Sequence, residues 1–238
     1  MTATGIQIEP RSTATGTERT RTGARHPYRW GGIAGFAFAG SVIAQNILRG
    51  SAPANDAPAA KIIADYTDHR SVHLLLAALF AVGACALPAF VATMWSRLKD
   101  GASATFVRIG VLGATGILTL FGLTLALDVA LTSYVHLGNP APDVVKGLWV
   151  VHNAVFTILL AALAIALFGL AQAAVAGRLI GTRWKVVGIV APLALLVPVL
   201  AASATTEGSP VLAFGLLGFA CWLAFIGRAS YALMRETA

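Results

Sequence analysis

Charged residues are scarce in this sequence, and six long stretches have none at all. Only 11% of the 238 residues are charged, whereas soluble domains have about 25%. The stretches without Asp, Glu, Lys or Arg are residues 30–48, 71–96, 109–127, 147–177, 186–206 and 208–227. Each one has the roughly 18 residues that a helix needs to cross a bilayer, and none has the polar stripe of a soluble amphipathic helix. The pattern excludes a soluble globular fold and predicts an all-α bundle of six transmembrane helices.

The predicted domain organisation follows from these stretches. We place the transmembrane domain at residues 30–231, with a basic tail at residues 1–29 and a short tail at residues 232–238. A cleaved signal peptide is not expected, because the first apolar run starts only after about thirty polar residues. The predicted spans are about residues 30–48, 72–96, 107–132, 147–174, 185–203 and 210–230.

The positions of the basic residues predict the orientation in the membrane. Of the 17 lysines and arginines, all but four fall in the N-terminal tail, near the C-terminus and in or next to the second and fourth loops. We expect the protein to lie in the plasma membrane, and the positive-inside rule places both of its termini in the cytoplasm. The aromatic residues at the helix ends fit an interfacial belt, with Tyr66, Tyr134 and Trp149 on the outer side. The four basic residues assigned to the outer side are Arg49, Lys61, Arg70 and Lys146.

The first tail is rich in arginine and threonine, and we expect it to be disordered and attracted to anionic lipid headgroups. It lacks the interleaved aromatic residues and the fold of a nucleic-acid-binding segment, so no nucleic-acid partner is predicted. Only two cysteines occur, Cys85 and Cys221, and both lie within predicted spans. We interpret them as packed core residues and not as disulfide or metal partners.

Polar residues recur at one level of the predicted bundle. Four different helices carry them at their outer ends, and the inner halves carry no comparable set. Such residues are costly in a membrane and by default indicate function. They are Gln45 and Asn46 on the first helix, His69 and His73 on the second, Asp128 on the third, and His152 and Asn153 on the fourth.

Asp128 is the leading catalytic candidate, because a carboxyl group in apolar surroundings can donate or accept a proton. His73 and His152 are predicted to tune it, and the three side chains should lie within about 10 Å of each other if they form one site. We predict that Gln45, Asn46, His69 and Asn153 bind the substrate. Loop charges at the aqueous face need no functional explanation, and these are Asp65, Asp68, His136, Asp143 and Glu207.

No cofactor and no metal is predicted. A metal held by His69, His73 and His152 is a minority alternative, because the ligand types are suitable. Asp65, His69 and His73 are spaced four residues apart, as on one stripe of a continuous helix. The segment "HRSVH" lacks the glutamate of HExxH, so metalloprotease chemistry is not supported.

Two segments carry a family resemblance. The run "IIADYTDHRSVHLLLAALFAVGACALPAFVATMWSRL" resembles the first loop and second span of uncharacterised six-span membrane proteins common in actinobacteria, and "TRWKVVGIVAPLALLVP" is similar to their fifth span. The resemblance implies a six-helix bundle and no particular reaction. It does not include Asp128 or His152. The matching residues are Tyr66, His69, Arg70, Arg183 and Trp184.

Three classes of function remain open on the sequence. The favoured one is a membrane protein with an outer-facing polar pocket that binds a hydrophobic molecule, such as an isoprenoid or another lipid, or transforms it by acid/base chemistry. A small proton-coupled permease is less favoured, because its polar site should lie at mid-membrane. The third class is a non-catalytic partner or structural protein. Membrane lipids are the expected partners, and association between copies of the chain stays open because small residues recur in the spans.

Overall fold

The computed structural model describes residues 27–50 and 52–236, and the regular secondary structure of this part of the chain is helical, without a strand. A single 3₁₀ turn, Gly101–Ser103, connects the third and fourth helices. The predicted all-α bundle is therefore confirmed for the described residues. The helices are α1 (Pro27–Arg49), α2 (Ala59–Asp68), α3 (Arg70–Leu98), α4 (Ala104–His136), α5 (Pro142–Ala176), α6 (Trp184–Leu200), α7 (Ala202–Thr206) and α8 (Leu212–Arg235).

Five of the described helices are long and apolar enough to cross a membrane: α1, α3, α4, α5 and α8. A sixth apolar helix, α6, is shorter at 17 residues. Long runs of leucine, alanine and valine favour helix here, since a helix satisfies all of its backbone hydrogen bonds internally in lipid. These helices make the chain a helical membrane protein.

Five of the helices are longer than the predicted spans, whereas α6 ends at Leu200, before the end of the span predicted at 185–203. One predicted helix is interrupted. Helix α4 continues to His136, so Asp128 lies two turns before its end. The predicted stripe of a continuous helix through His69 is wrong: α2 ends at Asp68, α3 begins at Arg70, and His69 has a non-helical backbone between them. Most of the predicted tail at 1–29 lies outside the described residues, but its last three residues begin α1.

Six helices form a closed ring. Around the ring, α1 packs against α3, α3 against α4, α4 against α5, α5 against α6, α6 against α8, and α8 against α1. The closest approach joins α4 to α5, where a Cβ atom added to Gly113 would lie 2.7 Å from the Cα atom of Ala166. Gly110 and Gly169 meet in the same way. Small residues thus bring helix backbones together where hydrophobicity cannot drive association.

The two ends of the ring are identified by contacts at the helix ends and in the first loop. At one end, which we call the Arg97 end, the Arg97 guanidinium donates to the Glu236 carboxylate at 2.5 and 2.7 Å. At the other, the Asn55 end, the Asn55 amide donates to the carbonyl oxygen of Thr205 at 2.8 Å. The indole of Trp149 donates to the Ala54 carbonyl oxygen at the same end. The first loop therefore closes over the start of α5 and the segment after α6.

Candidate functional site

Helix α2 forms a lid across the Asn55 end. Ile62 and Tyr66 lie four residues apart, on one face of α2, and both are almost fully buried. They pack in a small separate core with the end of α4 and the start of α5, which includes Leu131, Val145 and Trp149. The amphipathic sequence of α2 thus fixes the position of the Tyr66 ring.

Tyr66 and His73 both contact the carboxylate of Asp128. The Tyr66 hydroxyl donates a hydrogen bond to Oδ1, and His73 Nδ1 lies 3.5 Å from Oδ2. The rings of Tyr66 and His73 are stacked, with centroids 4.0 Å apart. Asp128 is only 5% exposed. One oxygen of Asp128 therefore accepts from α2, and the other lies close to an imidazole nitrogen on α3.

Asp65 extends this cluster to the surface. One of its oxygens lies 3.2 Å from His73 Nε2 and the other 3.1 Å from His69 Nδ1. His69 is exposed, whereas His73 and Asp128 are buried. A continuous series of polar contacts thus connects the surface to the buried Asp128 carboxylate.

Tyr66 keeps its proton in this setting. Burial raises the pKa of the Tyr66 hydroxyl far above its ordinary value, and the neighbouring Asp128 carboxylate raises it further. Ionising Tyr66 would place a second negative charge beside Asp128 in an apolar environment. The hydroxyl therefore acts as a permanent donor to Asp128.

A second polar cluster joins α1 to α5. The Arg49 guanidinium lies 3.2 Å from His152 Nε2, and His152 Nδ1 lies 3.2 Å from Asn153 Oδ1. Trp149 stacks on the His152 ring with centroids 5.1 Å apart. Since arginine can only donate, His152 Nε2 is the acceptor and the proton of the neutral ring is on Nδ1. The cluster therefore has a fixed direction, from Arg49 through His152 to the Asn153 amide oxygen.

A cavity of about 240 Å³ lies inside the ring and is lined by both polar and apolar residues. Its walls are mostly apolar and come from α1, α3, α4, α5 and α8. The polar residues lie toward the Asn55 end, and they are Gln45, Asn46, Arg49, Asn55, Thr124, Asp128, His152 and Asn153. The cavity thus has an apolar body and a polar end.

The structure gathers most of the predicted site residues. Asp128, His152 and Asn153 line the cavity, together with Gln45 and Asn46. The predicted closeness of His73 and Asp128 is confirmed by their 3.5 Å separation. His73 does not line the cavity and reaches it only through Asp128. His69, which is predicted to bind substrate, is exposed and does not line the cavity. Its ring contacts Asp65.

Sequence reasoning misses four members of the two polar clusters. Asp65 was interpreted as a solvated loop charge, and Arg49 only as a topology signal. Tyr66 and Trp149 were assigned to the interfacial belt, although both are buried here. The spacing of Ile62 and Tyr66 on one face of α2 was the signal that could have found the tyrosine.

No group of three or more His, Cys, Asp or Glu side chains is placed to hold a metal ion within residues 27–50 and 52–236. The nitrogens of His73 face Asp65 and Asp128, and those of His152 face Arg49 and Asn153. The minority metal alternative gains no support from this arrangement. No protein-family model, curated protein or solved structure matches the chain.

Proposed function

We propose that the chain is a six-span plasma-membrane protein that binds a hydrophobic small molecule, such as an isoprenoid or another lipid, in the cavity at the centre of its helix ring. In this proposal both termini are cytoplasmic and the polar end of the cavity faces outward. The carrying observation is the cavity itself, which combines an apolar body with a cluster of polar side chains at one end.

Contacts at the two ends support a sixth crossing by α6 and α7 together. Gly177, at the start of the loop from α5 to α6, lies beside Leu98 and Ser103 at the Arg97 end. Thr205, near the end of α7, bonds Asn55 at the opposite end. The 17 residues of α6 extend about 26 Å, and α7 supplies the remaining length. The chain thus passes from one end of the bundle to the other.

The distribution of basic residues supports the orientation. The Arg97 end holds the second and fourth loops and the ends of α1 and α8 that carry most of the lysines and arginines. The positive-inside rule assigns this end to the cytoplasm. The Asn55 end, with the polar part of the cavity, then faces outward.

The volume of the cavity limits the size of the bound group. An engineered cavity of about 150 Å³ holds one benzene. Scaled from that case, a cavity of about 240 Å³ holds about ten carbon-sized atoms. A short chain, a two-unit isoprenoid or one segment of a longer lipid fits these dimensions.

Photo-crosslinking tests the proposal with a neutral probe, decanol carrying a diazirine near the end of its chain. We expect saturable labelling of peptides around the cavity walls, at Ile117, Leu163 or Trp222. Ile117→Trp should reduce the labelling, because a larger side chain fills the cavity. The matched control is Leu112→Trp at an exposed position of the same helix, and it should leave the labelling unchanged.

Labelling that does not saturate, or that is confined to exposed residues such as Leu112, would contradict ligand binding in the cavity. That result would favour the alternative of a non-catalytic partner or structural protein. Comparable far-ultraviolet circular dichroism of the variants and the parent protein excludes misfolding as the cause of a loss.

Acid/base chemistry on the bound molecule is a second candidate function. It is favoured by one observation, the series of contacts from exposed His69 through Asp65 and His73 to Asp128. Such a series provides a route by which protons can reach a carboxylate on the cavity wall. Asp128 would act as the acid or base in this reaction, and His73 would tune it.

A further inference from the structure

We propose that the molecule bound in the cavity has a single carboxylate head, held by Arg49, Gln45 and Asn153 at the polar end. This inference rests on the proposed binding function and specifies the class of ligand. It is carried by hydrogen-bond donors at the polar end that have no acceptor in the described part of the chain.

Two buried amide groups lack partners. The nitrogen atoms Gln45 Nε2 and Asn153 Nδ2 are buried and make no hydrogen bond with any residue among 27–50 and 52–236. Both side chains line the cavity, and both residues are more than nine-tenths buried. A buried donor without an acceptor is unfavourable, and native proteins generally supply a partner. A ligand with acceptor oxygens would supply it here.

The direction of the Arg49 cluster fixes Asn153 as a donor to the cavity. Arg49 donates to His152 Nε2, so His152 Nδ1 carries the proton and donates to Asn153 Oδ1. The amide oxygen of Asn153 is therefore engaged, and only its NH₂ group is left for a ligand. Exchanging the two amide atoms would place an NH₂ group against the protonated His152 nitrogen.

Arg49 provides the positive charge. It is partly buried and lines the cavity, yet no carboxylate oxygen of the described residues lies within 4.0 Å of its guanidinium nitrogens. Guanidinium groups pair well with carboxylates, because several N–H groups meet two oxygens. A negatively charged head at this place would complete the ion pair.

Asp128 limits the charge of the head. Its carboxylate lines the same cavity and is already bonded to Tyr66 and adjacent to His73. A head with two negative charges would be repelled by Asp128 more strongly than a head with one. A carboxylate, with one charge and two acceptor oxygens, therefore matches the site better than a phosphate.

The apolar part of the cavity limits the length of the hydrocarbon tail of the ligand. From Arg49 to Phe38 along α1, and from Asp128 to Ile117 along α4, the lining extends about 16 Å. Together with the cavity volume, this length suits one unbranched or isoprenoid chain of about ten carbons. The proposed ligand is thus a single-chain, medium-length carboxylic acid.

Competition against the diazirine-decanol probe tests this inference with four ten-carbon compounds: decanoate, decyl phosphate, decanol and decylamine. We expect decanoate to compete best, at a concentration at least about tenfold lower than that of decanol. The two compounds share the same tail, and the hydrogen-bonded charge of decanoate adds to the binding free energy. Decyl phosphate should compete less well than decanoate, and decylamine least. Arg49→Gln should remove the advantage of decanoate over decanol, and Arg49→Lys should restore part of it.

The control variant is Arg70→Gln, which removes an exposed arginine at the same end of the bundle. It should leave the ratio of decanoate to decanol unchanged. Equal competition by decanoate and decanol, or an unchanged ratio in Arg49→Gln, would overturn the carboxylate inference while the binding proposal stands. A probe that shows no saturable labelling would overturn the binding proposal itself.

Discussion

The hydrogen bond from Tyr66 to Asp128 provides a direct test of the site, through the variant Tyr66→Phe. Tyr66 is 1% exposed and donates to a carboxylate that is itself buried. Hydrogen bonds to charged groups contribute about 1.5–3 kcal/mol, so the free energy of unfolding should fall by about that amount. For a protein of this size the corresponding loss in Tm is about 3–12 °C.

The pH dependence sharpens the same prediction. The folded protein raises the pKa of Tyr66, by burial first and then by the Asp128 charge, from an ordinary value of 10.0 that applies to the unfolded chain. The contribution of the Tyr66 hydroxyl is therefore complete below pH 10 and is lost as the pH rises beyond it, because only the unfolded chain releases the proton. The difference between parent and variant should shrink by about 1.4 kcal/mol for each pH unit above 10.

Thermal unfolding at pH 8 and at pH 11, with one scan rate for all samples, measures both effects. The matched control is Tyr134→Phe, in which the lost hydroxyl only accepts from the backbone N–H of Ala141 at the surface. It should change stability by less than about 0.5 kcal/mol. An equal loss in both variants, or a Tyr66→Phe difference that grows with pH, would refute the proposed donor role.

Two further predictions concern topology and chemistry. For topology, both cysteines are replaced by alanine, and single cysteines are introduced as Ala141→Cys and Thr182→Cys. A membrane-impermeant maleimide should label Ala141→Cys in intact cells and Thr182→Cys only after lysis, because these positions lie at opposite ends of the bundle. The reverse pattern would contradict the assigned orientation. If the site performs acid/base chemistry, geranic acid incubated with the purified protein in D₂O should gain deuterium on carbon, as measured by mass spectrometry after the carboxyl group has been exchanged back in H₂O. Asp128→Asn should abolish this gain. Absence of deuterium with the parent protein would leave binding alone.

The helices could be predicted because exclusion of charge over about twenty residues has one main physical solution, a membrane-spanning helix. Their ends were less predictable. The charge of Asp128 marked the end of an apolar block, yet α4 continues for eight residues beyond it. Tyr66 donates to this carboxylate and His73 lies beside it, and their proximity depends on tertiary packing that sequence spacing does not reveal.

The break at His69 has a similar origin. The pattern of Asp65, His69 and His73 is compatible with one continuous helix, but α2 turns away from α3 to bury Ile62 and Tyr66 against α4 and α5. The burial of these two side chains outweighs the local preference to continue the helix. Asp65 still contacts both histidines across the break.

The aromatic residues at the outer end were misinterpreted for a chemical reason. Tyrosine and tryptophan have an apolar ring and one polar atom, which suits both a membrane interface and a buried site with one hydrogen-bond partner. Tyr66 and Trp149 occupy the second kind of environment. Only the position of α2 over the bundle distinguishes the two.

The two polar clusters differ in what they leave for a ligand, and this difference ranks the two candidate functions. Asp128 Oδ1 accepts from Tyr66, and Oδ2 lies 3.5 Å from His73 Nδ1, so a substrate that approaches this carboxylate competes with groups from α2 and α3. Gln45 Nε2 and Asn153 Nδ2 make no hydrogen bond within the described residues, and Arg49 has no carboxylate partner there. All three residues line the cavity. A ligand bound by these three residues therefore does not compete with Tyr66 or His73, and this difference favours the proposed binding function over the proposed catalysis.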